Sequence, residues 1–281
     1  MELTSVKTIK DIAARFGFVF KKGLGQNFLT DSSALECAVE AAEIEDGVLE
    51  IGPGFGVLTY ALAETGKKVV SVEVDERLLP VLEYTLDGFD NVKIVSADIM
   101  KTDIAKLIKD EFGDGKISIA ANLPYYITTP IITTLLEARL PVKNMVFMVQ
   151  REVAERIAAE RGRDCGAISL FCRYFAEPEL VKIVPAGSFY PPPKVDSALL
   201  RLKMLDKPRV DVLDEKLLFK VIRASFGQRR KTLANGLSGG LGIEKAKINE
   251  ILENLGYSTT VRGEALALED FARIADAVAR L

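Results

Sequence analysis

Asn122-Leu123-Pro124-Tyr125 places a primary amide, a rigid proline and an aromatic ring in four consecutive residues, directly after the apolar run 117–121. That set suits gripping a flat nitrogenous base by its exocyclic amine. The Asn122 side-chain oxygen and the Leu123 carbonyl would accept the two N–H groups, Pro124 would stiffen the turn, and Tyr125 would stack on the ring. The same residues also read as ordinary strand-to-turn punctuation, so their neighbours must decide.

Three other stretches bear on the decision. Leu49-Glu50-Ile51-Gly52-Pro53-Gly54-Phe55-Gly56 is an apolar strand running into a glycine-rich turn and then a helix, where the backbone of Gly52 and Gly54 can approach a ligand closely. Its spacing is GxGxG, which differs from the dinucleotide pattern GxGxxG. Glu73 ends the next apolar run, where a carboxylate can accept both ribose hydroxyls of an adenosine. Asp98 ends the run after that and could accept from the adenine amine. Either acid alone would read equally well as a solvated cap of the following helix. Gly, Glu and Asp at successive strand ends favour an adenosine site.

With an adenosine beside it, Asn122 lies near whatever reactive group that adenosine carries. A nicotinamide chemistry would need a proton-transfer partner, and the chain has no histidine. A methyl donor needs no strong base. An adenine amine is a poor nucleophile because its lone pair is delocalised into the ring, and accepting both N–H groups favours a pyramidal nitrogen with its lone pair aimed at a sulfonium methyl. The missing histidine also removes Ser-His triads and His-ligated metals. No metal is expected.

Composition agrees with an enzyme. The 281 residues are 48% hydrophobic and 27% charged, with a net charge of −3 and no tryptophan. That charge argues against a general polyanion binder but not against a local basic patch. Cys37, Cys165 and Cys172 lack CxxC spacing, so they read as buried small side chains. The first ten residues have no apolar signal region and no run approaches a membrane span, so a cytoplasmic protein, monomeric by default, is expected.

The elements that must hold these residues alternate strand and helix. Runs at 48–51, 68–74, 92–97, 117–121 and 144–149 are rich in Val and Ile, and each is followed by helical spacing. Buried strands of this kind belong to a mainly parallel α/β sheet whose ligands lie at the carboxyl ends of the strands. Runs 180–184 and 198–204 read as two more strands, joined by the proline-rich Phe189-Tyr190-Pro191-Pro192-Pro193 stretch and able to pair as a hairpin. After Asp206-Lys207-Pro208 only helical patterns follow, at 215–226, 244–255 and 268–281. The expected domains are therefore 1–205 and 206–281.

Gly25-Gln26-Asn27-Phe28-Leu29, Glu50-Ile51-Gly52-Pro53-Gly54, Asn122-Leu123-Pro124-Tyr125, the segment Phe189-Tyr190-Pro191-Pro192-Pro193-Lys194-Val195-Asp196-Ser197 and Phe226-Gly227-Gln228-Arg229-Arg230-Lys231 occur in order. In this the chain resembles the ribosomal RNA adenine dimethyltransferases, in particular their small-subunit, KsgA-type members. The resemblance implies a class I methyltransferase fold, Rossmann-like with a seven-stranded mostly parallel sheet and a small C-terminal helical domain. It implies S-adenosylmethionine as cofactor and S-adenosylhomocysteine as product. Asn27 and Leu29 would contact the cofactor, Gly52 and Gly54 would pass beneath its methionine part, Glu73 would hold the ribose, Asp98 the adenine and Asn122 the reactive end. Phe189 and Tyr125 would sandwich the target adenine, although a proline loop packed in the core is an alternative for Phe189. The implied reaction dimethylates two adjacent adenines of small-subunit ribosomal RNA within a pre-ribosomal particle. A non-catalytic assembly or RNA-binding factor, a large-subunit (Erm-type) enzyme and, more distantly, a nicotinamide oxidoreductase are the rival readings.

Lys216, Lys220, Arg223, Arg229, Arg230 and Lys231 fall in a stretch without an acid until Glu244, and the first three share a helical face. Such a stripe is either solvated surface or a phosphate-binding face. With the family resemblance, Lys220, Arg223, Arg229, Arg230, Lys231 and the pair Lys21 and Lys22 become the expected RNA contacts.

Overall fold

The computed structural model describes residues 1–20, 27–228 and 230–281. Its strands are β1 (Phe28–Leu29), β2 (Gly47–Ile51), β3 (Lys68–Glu73), β4 (Val92–Ser96), β5 (Ile117–Asn122), β6 (Val142–Gln150), β7 (Ala176–Val184), β8 (Phe189–Tyr190) and β9 (Ser197–Met204). The helices are α1 (Val6–Arg15), α2 (Ser32–Ala42), α3 (Val57–Ala63), α4 (Leu79–Thr85), α5 (Ile104–Phe112), α6 (Thr128–Glu137), α7 (Arg151–Ala158), α8 (Ala167–Phe175), α9 (Glu215–Phe226), α10 (Leu233–Leu241), α11 (Lys245–Asn254) and α12 (Leu268–Ala279). None of the described helices is long and apolar enough to cross a membrane.

Seven strands form one sheet in the order β4-β3-β2-β5-β6-β9-β7. β2 pairs parallel with β3 and β5, β3 with β4, and β5 with β6, while β9 runs antiparallel to β6. All of β2 and residues 117–121 of β5 are buried, as expected of central strands covered on both faces. Chain order reverses between β2 and β5, and that switch point opens a crevice at their carboxyl ends. The expected neighbourhood of 180–184 and 198–204 is present, because β7 lies beside β9. The connection is more than a turn: β8 leaves the sheet and pairs antiparallel with β1, Leu29 opposite Phe189 and Phe28 opposite Tyr190.

The crossovers are stopped and started by local chemistry. Asp31 caps α2 by accepting from the backbone N–H groups of Ser33 and Ala34, and Asp103 caps α5 by accepting from that of Lys106. Gly52 and Gly54 take φ of 70° and 61° after β2, a conformation that side-chain-bearing residues avoid.

The chain divides into two compact units, 1–154 with 179–204, and 155–178 with 205–281. The second unit takes in 155–178 beside the C-terminal helices, which differs from the expected domains of 1–205 and 206–281. Aromatic packing is the reason. Phe171, Tyr174 and Phe175 of α8 gather around Phe219 of α9, with ring centroids 4.9, 5.1 and 6.0 Å from it.

In this second unit α10 is a helix beyond the three expected after residue 206, and it contains Asn-Gly and Gly-Gly, dipeptides that ordinarily mark turns. The glycines serve close packing instead. A Cβ on Gly240 would lie 2.4 Å from Ala224 Cβ of α9, and one on Gly236 would lie 2.9 Å from Ala224 O.

Candidate active site

A cavity of about 190 Å³ opens at the carboxyl ends of β2, β3, β4 and β5, and Asn27, Leu29, Gly52, Gly54, Glu73, Asp98 and Asn122 all line it. These seven were the expected cofactor contacts. They come from five separate stretches of chain, and the strand order brings them together.

The glycine turn forms the floor. Phe28 crosses Gly54 so closely that a Cβ there would lie 3.0 Å from its ring, and the same ring packs on Phe55 at 4.2 Å between centroids. Glu73 is buried, and its two carboxylate oxygens accept from Gly54 N at 3.3 Å and Asp75 N at 2.8 Å. It thereby ties the ends of β2 and β3 while each oxygen keeps a second lone pair for a ligand. Burial is the main influence on its carboxyl and raises its pKa above the ordinary value.

Glu50, also at the cavity, was not among the expected site residues. It is fully buried, and its Oε2 accepts from Thr59 Oγ1 and Ser71 Oγ, each at 2.6 Å. Burial pushes its pKa up to about 7 despite those two hydroxyl donors. The signal was present in Glu50-Ile51-Gly52, where a carboxylate stands in a strand otherwise buried and apolar.

Asp98 does not cap the following helix, a task that falls to Asp103. The Asp98 Oδ1 accepts from Met100 N at 3.0 Å, a local turn contact, and its side chain also borders the cavity with Lys101 3.4 Å away.

Asn122 is oriented from the N-terminal segment. Its Nδ2 donates to the backbone oxygen of Asn27 at 3.0 Å, so the side-chain oxygen is left as an acceptor at the cavity. Pro124 lines the cavity too, and a turn closed by Ile127 N donating to Pro124 O at 3.1 Å follows it. Leu123 is buried beneath, its N–H donating to Met148 O at 3.1 Å. Tyr125 does not border the cavity; its ring is half-buried and its hydroxyl lies 2.7 Å from Ser197 Oγ of β9. Burial raises the phenol pKa, so the ring is neutral.

Phe189 corrects an expectation. It is 3% exposed, sits in the hydrophobic core and does not border the cavity, so the packed-core alternative is the arrangement observed. Pairing of β8 with β1 holds it there, together with Ser188 O accepting from Thr30 N and Ser188 Oγ donating to Asp31 Oδ2.

The set fits a nucleoside that carries a positive charge: positive-φ glycines for close approach, apolar walls, and two carboxylates at successive strand ends, Glu73 buried and Asp98 partly exposed. Nothing in it resembles a reservoir of strong bases.

In the second unit, Lys216, Lys220 and Arg223 of α9 are exposed, as are Arg230 and Lys231 beyond it. None of the five has an ion-pair partner among the described residues. The expected contacts Lys21, Lys22 and Arg229 lie outside the described residues, as do Gly25 and Gln26.

Comparison with known proteins agrees with this geometry. The family described as ribosomal RNA adenine dimethylase matches residues 17–279. A ribosomal RNA small subunit methyltransferase A from Lachnoclostridium phytofermentans is 49% identical over 274 residues, covering 95% of this chain and 94% of its own. One of the same name from Bacillus cytotoxicus is 45% identical, covering 99% and 97%. Among solved structures, a dimethyladenosine transferase from Plasmodium falciparum superposes with TM-score 0.73 at 26% identity, covering 88% of this chain and 95% of its own. The 23S rRNA methyltransferase ErmE gives 0.69 at 25%, covering 90% and 100%.

Proposed function

The chain belongs to the ribosomal RNA adenine dimethylase family, and from that premise we propose that it dimethylates the N6 amines of two adjacent adenines in a loop of small-subunit ribosomal RNA. The donor is S-adenosylmethionine, which when bound supplies an electrophilic methyl on sulfur and leaves as S-adenosylhomocysteine. The observation that carries the reading is the contact of Asn122 Nδ2 with the Asn27 backbone oxygen at 3.0 Å. It fixes the amide so that its oxygen, not its nitrogen, meets an incoming amine.

Each residue then has a definite task. Glu73 accepts from the ribose hydroxyls and Asp98 from the adenine amine of the donor, with Gly52 and Gly54 beneath. The Asn122 oxygen and the Leu123 carbonyl accept from the target N6 and turn its lone pair toward the methyl group. Tyr125 stacks on the target base. The new N–C bond forms as the S–C bond breaks, and methylation makes the amine acidic enough to release its proton to water. Positioning and electrostatics suffice, which is why the absence of histidine is no obstacle.

The basic residues of α9 and the loop after it hold RNA phosphates, and an unpaired loop presents bases that can be splayed out of the stack. Identity of 45–49% to small-subunit enzymes, against 25% to the 23S enzyme, supports the small-subunit substrate over the large. We take the substrate to be a pre-ribosomal particle in the cytoplasm and the enzyme to act as a monomer.

Tritiated S-adenosylmethionine and undermethylated small subunits test the proposal. Label should appear in N6,N6-dimethyladenosine of the small-subunit RNA. Its absence, where a known dimethylase labels the same particles, would refute the reading, and label in large-subunit RNA would redirect it.

A further inference from the structure

Large apolar side chains left open to solvent are informative where they cluster at a cavity. Val74 is 66% exposed and Tyr126 is 63% exposed, and both border the cavity of the candidate active site. They stand at the ends of different strands, Val74 directly after β3 and Tyr126 in the turn after β5, with β2 between those strands in the sheet.

The turn explains why Tyr126 faces this way. Ile127 N and Thr128 Oγ1 both donate to Pro124 O, at 3.1 and 3.2 Å, which folds Tyr125 and Tyr126 onto adjacent corners of one turn. Tyr125 is held by Ser197 on the β9 side. Tyr126 is left on the cavity side, and among the described residues it has neither a ring partner nor a hydrogen bond. An aromatic face exposed to this degree, at the mouth of a cavity whose floor is glycine, gains free energy when a ligand covers it, and a flat ring covers it best.

We propose that Tyr126 is a specificity-determining residue on the donor side, a wall that closes over the bound nucleoside of the methyl donor together with Val74, while Tyr125 serves the acceptor base. The inference rests on the proposed use of S-adenosylmethionine. It divides two adjacent tyrosines between two ligands: Tyr126 sets donor affinity, and Tyr125 sets base affinity. The exposed position of Tyr126 also means that its substitution leaves the fold intact.

Isothermal calorimetry with S-adenosylhomocysteine tests it. Tyr126→Ala should weaken binding about tenfold, Tyr126→Phe should bind within twofold of the unaltered enzyme, and Tyr125→Ala should bind S-adenosylhomocysteine normally. Because the chain has no tryptophan, Tyr126→Trp gives a single reporter whose emission should shift when S-adenosylhomocysteine is added. Normal affinity of Tyr126→Ala, or unchanged emission of Tyr126→Trp at saturation, would overturn the assignment. A defect confined to the KM for the ribosomal particle would also overturn it and move Tyr126 to the base side. If the unaltered enzyme itself fails to bind S-adenosylhomocysteine, the cofactor reading falls, and this inference with it. Binding by the unaltered enzyme with no effect at Tyr126 refutes this inference alone.

Discussion

Asn122 and Asn27 are 95 residues apart in sequence and joined by one hydrogen bond, Nδ2 to backbone oxygen at 3.0 Å. The bond spends the donor end of the amide on the protein and keeps the acceptor end for substrate. Asn122→Ala should therefore cut turnover by ~10²–10³ or more, as loss of one preorganised polar contact does, with S-adenosylhomocysteine affinity changed less than threefold. Methyl incorporation and calorimetry on the same preparation check both halves. Lost binding would show that Asn122 holds the donor more than the base.

Gly54→Ala should damage both fold and cavity. The backbone there has φ 61°, which costs an alanine roughly 1–2 kcal/mol, and the added carbon would meet the Phe28 ring at 3.0 Å. A lower melting temperature and weaker S-adenosylhomocysteine binding are expected together. Gly66 also has positive φ but nothing within 4 Å, so Gly66→Ala should lower stability and leave binding unchanged.

Glu50 gives a pH dependence of defined sign. Its folded pKa, about 7, lies above the ordinary 4.5 because burial disfavours the ionised form. The folded chain therefore keeps this proton across a window in which the unfolded chain has released it, and stability falls as pH rises from about 4.5 to about 7. At most the loss is roughly 3 kcal/mol. Glu50→Gln keeps an acceptor for Thr59 and Ser71 and should flatten that decline, gaining stability relative to the parent at pH 8 and little at pH 4.5. Urea denaturation across pH reads this directly. Equal slopes for the two proteins would show that Glu50 ionises freely.

Charge reversal at Lys220 and Arg223 should weaken binding to small-subunit particles and make it less sensitive to salt. Each phosphate contact removed lowers the magnitude of the log–log salt slope by about 0.7–0.9. Filter binding between low and moderate salt measures it. An unchanged slope would take this face of α9 out of the RNA interface.

Much of this arrangement is legible in the residues themselves. The strands that carry the site are short apolar runs, and the residues ending them, Gly52, Glu73, Asp98 and Asn122, border one cavity, as their positions implied. Asn27 and Leu29 were reachable only through the family resemblance, because their stretch has no periodicity and reaches the cavity through long-range pairing of β1 with β8. Phe189 was misplaced for the same reason, since its burial depends on a strand partner 160 residues away, Leu29. Glu50 was passed over because a carboxylate within an apolar strand is a signal only once Thr59 and Ser71 are seen to surround it. α10 was hidden because a glycine that lets two helices touch looks, in sequence, like one that ends a helix.

The contact of Gly236 and Gly240 with Ala224 reaches beyond the core of the second unit. Drawing α9 and α10 this close seats one helix directly on the other, and Lys216, Lys220 and Arg223 ride on the outer face of α9. Those three positive charges are spaced by the helical repeat of α9. The seat of that charged helix on its neighbour is thus set by the missing methyl groups of two glycines. An alanine at Gly240, exposed and uncharged though it is, would push α10 away from α9 and shift the base on which those charges stand.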